Sequence, residues 1–64
     1  MPVLFRVCRH RQEARWVVRV EDRLYGEYLD KDGAVRDAIE AVKDAREIGK
    51  DAEVWDQARA LRLY

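Results

Sequence analysis

Asp30-Lys31-Asp32-Gly33-Ala34-Val35-Arg36-Asp37-Ala38-Ile39-Glu40-Ala41-Val42-Lys43-Asp44-Ala45 is the stretch where the chain changes period. Before it, apolar residues recur at every second position; within it, at every third or fourth. At about 100° per residue, Ala34, Val35, Ala38, Ile39, Ala41, Val42, Ala45 and Ile48 share one half of a helical wheel. Arg36, Asp37, Glu40, Lys43, Asp44 and Glu47 take the other half. Asp30 or Asp32 is placed to accept from the free N–H groups of a first helical turn. Gly49 suits the left-handed residue that follows a helix. The pattern predicts a helix over about residues 31–48. The alanines on its apolar half let its axis come close to a sheet.

On either side of this helix the alternation is that of strands. Val3, Phe5 and Val7 alternate with Leu4, Arg6 and Cys8. Trp16, Val18 and Val20 alternate with Arg15, Val17, Arg19 and Glu21. Leu24-Tyr25-Gly26-Glu27-Tyr28-Leu29 reads as a third strand, with Leu24, Gly26 and Tyr28 on one face. A glycine there leaves room for the helix to press on the sheet. Ala52-Glu53-Val54-Trp55-Asp56 reads as a short fourth strand. Residues 57–64 suit either a fifth strand or a helical turn, because Ala60-Leu61-Arg62-Leu63-Tyr64 alternates while Ala, Leu and Arg favour helix. The expected architecture is one α+β domain over residues 1–64, in the order β-β-β-α-β(-β). An antiparallel sheet of three to five strands packs on one helix through Val3, Phe5, Trp16, Val18, Leu24 and Tyr28, with Trp16 against Ile39.

Sixty-four residues allow one domain. No apolar run approaches the ~18 residues of a membrane span, and the start carries no secretory pattern. One cysteine makes no internal disulfide, which fits a reducing cytoplasm. There is no Ser or Thr, so the only hydroxyl nucleophiles are tyrosines. The formal net charge is +0, yet Arg6, Arg9, Arg11, Arg15 and Arg19 face only Glu13 in the first nineteen residues. The N-terminal hairpin is therefore basic and the rest of the chain acidic.

The Trp16-Val17-Val18 strand, Lys31 and Ala34 at the helix entry, Ala38 and Ala45 within it, and Ala52-Glu53-Val54 after it form a wider pattern. With them the chain resembles a family of very short, uncharacterised bacterial proteins. Their pattern is a W-x-V strand, a [ST]-K-x-x-A helix entry, an alanine-rich helix and a final strand beginning A-E-V. Asp30 stands where the family has a capping Ser or Thr, and Gln57-Ala58-Arg59 where it has a Gly-containing turn. The resemblance implies this fold and no catalytic residues. The three-strands-then-helix opening is also similar to antitoxin-type domains. It is similar as well to the small sheet that phage integrases and some plant factors lay in the DNA major groove.

Candidate chemistry is sparse. Cys8 and His10 share a strand face, but no second Cys or His completes a zinc tetrad. Glu40 and Asp44 lie one helical turn apart, and Asp30-x-Asp32 lacks the later ligands of a calcium loop. No catalytic, cofactor or metal site is expected, and the chain reads as a non-enzymatic module. The outward sheet face is the candidate surface, with Arg6, Arg15, Val17, Arg19 and Tyr25 as its partner-binding residues. Two occupants suit it. One is a protein partner or a second copy held by Val17 and Tyr25, with Trp55 as a further candidate anchor. The other is a nucleic acid held by the arginines, which zero net charge disfavours.

Overall fold

The computed structural model describes Met1–Tyr64. The elements follow the order read from the periodicity: β1 (Val3–Arg9), β2 (Trp16–Val20), β3 (Arg23–Tyr28), α1 (Lys31–Glu47), β4 (Ala52–Asp56) and β5 (Leu61–Arg62). The chain is an α+β domain with one helix packed on a five-stranded sheet of order β3-β2-β1-β4-β5.

The sheet is mixed, where a purely antiparallel one was expected. β1, β2 and β3 form an antiparallel meander, whereas β4 pairs with β1 in parallel. The reason is directional. β3 points the same way as β1, the helix carries the chain back, and β4 must start again from the same end. β5, only two residues long, then folds back antiparallel on β4. Residues 57–64 therefore hold a turn over 57–60 and a short strand, with no helix.

The core lies between the helix and the central strands. Val7, Val18, Val42, Val54, Ala34, Ala38 and Ala52 are fully buried, and Phe5 nearly so. At the helix start the Asp30 carboxylate accepts from Gly33 N–H at 2.7 Å. At its end Gly49 takes φ +84°, with Gly49 and Lys50 N–H donating to Arg46 and Ala45 carbonyls. Arg46 clamps this end. Its guanidinium donates to Ala52 O at 3.0 and 3.2 Å and to Tyr64 O at 2.7 Å, and lies 4.4 Å from the Tyr64 ring. At the other end Lys31 Nζ meets Asp56 Oδ2 at 2.7 Å and sits 5.5 Å over the Trp16 ring.

Four details depart from the periodic reading. Ile48 is the helix C-cap and is 73% exposed. Ile39 is half-buried and lines a groove with Val35 and Leu63, while the buried helix positions are Ala34, Ala38 and Val42. Gly26 makes room for the Tyr28 ring, not for the helix: a Cβ there would stand 2.9 Å from Tyr28 Cζ. Finally, a bulge interrupts the β2–β3 ladder. Val18 faces Gly26 but Arg19 faces Leu24, which leaves Tyr25 as the extra residue.

Candidate functional site

The helix covers one face of the sheet, and the other is open. Alternation from buried Phe5, Val7 and Val18 places Leu4, Arg6, Cys8, Val17 and Arg19 on that open face. The registers add neighbours. Arg6 lies opposite Arg19 on one side and Trp55 on the other, Arg19 lies opposite Leu24, and Trp55 lies opposite Arg62. Leu24, Arg19, Arg6, Trp55 and Arg62 thus form one row across all five strands, at about 4.8 Å per strand.

The centre of this row is uncompensated. Arg6 and Arg19 are directly opposed and neither has a carboxylate within ion-pair distance. Arg19 only donates to the Asp22 carbonyl at 3.3 Å. The face's own carboxylates are engaged elsewhere. Glu27 pairs with Arg15 at 3.1 Å, and Glu53 pairs with Arg62 at 3.4 Å and accepts from Trp55 Nε1 at 2.9 Å. Like charges directly opposite across a ladder destabilise a sheet, and an anion between them would relieve that repulsion. Beside the pair a hollow of about 220 Å³ is lined by Leu4, Arg6, Trp55, Asp56, Gln57 and Ala60. Ala60, at its lip, takes φ +51°.

The five residues read from the sequence as one surface are only partly together. Arg6 and Arg19 are adjacent. Arg15 is neutralised, since Glu13 lies 2.8 Å from it in addition to Glu27. Val17 is on the face but only 6% exposed, hidden beneath its neighbours, and so offers no anchor. Tyr25 is on the opposite face: the bulge turns its ring onto Phe5, 5.4 Å between centroids and 77° between planes. Leu24, expected in the core, takes the outward place and is 52% exposed. Trp55 and Leu4 complete the site, and only the β1–β4 register brings Trp55 beside Arg6.

Cys8 and His10 do not act together. The His10 Nδ1 accepts from Gln12 and Glu13 N–H, both at 3.2 Å, and so closes the β1–β2 loop. Burial pushes the Cys8 thiol up, against the pull of Arg19 and Arg6, which makes it a poor nucleophile. No group of three or more His, Cys, Asp or Glu residues is placed to hold a metal ion. No helix is long and apolar enough to cross a membrane.

No family model, curated protein or solved structure matches this chain. The resemblance to the short bacterial family rests on the residues quoted for it.

Proposed function

We propose that the protein is a non-enzymatic protein-interaction module, acting in the cytoplasm, that receives an anionic segment of another protein on the open face of its sheet. One observation carries this reading: the opposed, unpaired Arg6–Arg19 couple beside an apolar hollow. Two guanidinium forks match carboxylates in bidentate geometry. The hollow next to them, lined in part by Leu4 and Trp55, has the size for one apolar side chain of the same segment. Arginine and tryptophan are also the residues that most often carry binding energy at protein interfaces.

A second reading has its own support. Arg19, Arg6, Trp55 and Arg62 in one row resemble a surface that holds phosphates and stacks one base. Zero net charge, with Glu27 and Glu53 among those arginines, favours the protein partner.

The test is fluorescence anisotropy with two labelled probes, a Glu/Leu-rich peptide and a mixed single-stranded oligonucleotide, against the parent chain and Arg6→Glu/Arg19→Glu. The expected result is peptide binding that the double reversal removes while the fold persists. Oligonucleotide binding that falls steeply with salt would move the assignment to nucleic acid. Binding of neither probe at about millimolar protein would overturn the reading of this face.

A further inference from the structure

The helix does not cover the whole of its face. It leaves one corner of the sheet open, where a hollow of about 380 Å³ is lined by Phe5, Val20, Glu21, Arg23, Leu24 and Tyr25. We propose that this corner is where a second copy of the chain docks, through a two-fold, self-complementary contact. The hollow runs over the β3 edge and shares Leu24 with the cationic row, but it takes in neither Arg6 nor Arg19, and docking there does not depend on that face having a partner.

Three observations point to a second copy. First, the centre of the corner is apolar and its aromatic is already packed. Tyr25 is 49% exposed, yet its ring is held edge-on against Phe5. A fixed aromatic loses little freedom on docking. Second, the two charges at the rim have opposite sign and are free. Neither Glu21 nor Arg23 has an ion-pair partner within the chain. Glu21 and Arg23 flank Asp22 in the β2–β3 turn at one end of the hollow, so a two-fold axis beside that turn brings opposite charges together. A two-fold axis sets Glu21 against the partner's Arg23, and Arg23 against the partner's Glu21. Third, Glu21 holds φ +57° in the β2–β3 turn, where glycine is the unstrained choice. The chain keeps a carboxylate at the rim despite that cost, and strain of this kind gathers at working surfaces.

The contact is made by side chains rather than by sheet extension. β3 is an edge strand, but its bulge at Tyr25 breaks the regular ladder a second strand would need. A standard interface covers about 800 Å² per partner, roughly one-sixth of the 4769 Å² this chain exposes. The hollow has 6 lining residues against the roughly 20–30 a side of a standard interface, so the proposed dimer is weak.

Sedimentation equilibrium of the whole chain from about 10 µM to about 1 mM tests this. The expected result is a mass rising from 7.6 kDa toward twice that value. Glu21→Lys and Arg23→Glu each place like charges across the axis, so each should weaken self-association at least about tenfold. An equimolar mixture of the two variants should associate again, because each then brings the charge the other lacks. Arg6→Glu/Arg19→Glu should dimerise like the parent. A parent chain that stays monomeric to about 1 mM overturns the proposal. So does association that survives both single reversals, or variants that do not rescue each other while remaining folded by circular dichroism.

Discussion

Truncating Val42 should cost more than truncating Ile39, although Ile39→Ala removes the larger side chain. Val42 has no exposed surface and touches the core from the middle of the helix, whereas Ile39 is half-buried beside a solvent groove with Leu63. Deleting buried methyl groups costs about 1 kcal/mol or more each, so Val42→Ala loses about 2–3 kcal/mol of packing. Better helix propensity returns about 0.5 kcal/mol, leaving about 2 kcal/mol. A fully buried Ile→Ala change costs about 2–5 kcal/mol, and half burial with the same propensity gain brings Ile39→Ala to about 1 kcal/mol. For a chain of this length 1 kcal/mol moves the melting point by about 4–8 °C. Thermal melts followed by circular dichroism should therefore place Val42→Ala about 8–16 °C below the parent and Ile39→Ala about 4–8 °C below it. The reverse ranking would refute the helix orientation, because it would require Ile39 to be the residue facing the sheet.

Ala60 occupies a left-handed conformation in the β4–β5 turn, so Ala60→Gly should raise the urea midpoint by up to about 1 kcal/mol of stability; a lower midpoint would mean that the methyl's contacts at the lip of the hollow outweigh the relief of its φ. The hydrogen bond from Lys31, with help from Arg59 N–H and the two positive charges, holds the Asp56 carboxyl below its ordinary range against the pull of burial. Its folded form thus binds a proton less readily than its unfolded form, so this contribution is present above about pH 4 and lost as pH falls below it; Asp56→Asn should flatten that part of the melting profile. Burial, then the hydrogen bond to Asp37 and its charge, push the Tyr28 phenol well above the ordinary value. That stability is complete below about pH 10 and declines above it, and Tyr28→Phe should remove a phenolate absorbance step lying beyond the usual tyrosine range.

Much of the architecture is written in local pattern. The change of period at Asp30, the carboxylate that caps the helix and Gly49 that ends it are all contacts within a few residues, and each is where the sequence places it. The alternation of β1 and β2 likewise sorts Phe5, Val7 and Val18 from Arg6, Cys8 and Arg19 correctly. What a periodic reading does not carry is which strand lies beside which. The parallel β1–β4 ladder joins Val3 to Ala52 and Val7 to Asp56, and the Lys31–Asp56 pair joins residues 25 positions apart. Nothing local signals either. The absence of a glycine after β4 is a visible clue, but its consequence, Ala60 held at positive φ, belongs to the folded turn.

The candidate surface divides along the same line. Arg6 and Arg19 follow from parity alone, because each sits one residue from a buried valine or phenylalanine. Trp55, a candidate anchor by residue type, gains its place beside Arg6 through long-range register, and Tyr25 leaves them through one inserted residue. In a strand every side chain beyond a one-residue shift changes face. Without the bulge Tyr25 would stand opposite Arg19, and the aromatic anchor would belong to the cationic face. With it, the outward place goes to Leu24, and Tyr25 packs on Phe5 at the open corner of the helical side. Arg6 and Arg19 therefore lie on one side of a thin sheet and Phe5 and Tyr25 on the other, with Leu24 at the β3 edge bordering both. A segment seated on Arg6 and Arg19 and a second copy seated on Phe5 and Tyr25, as proposed, would meet only at Leu24.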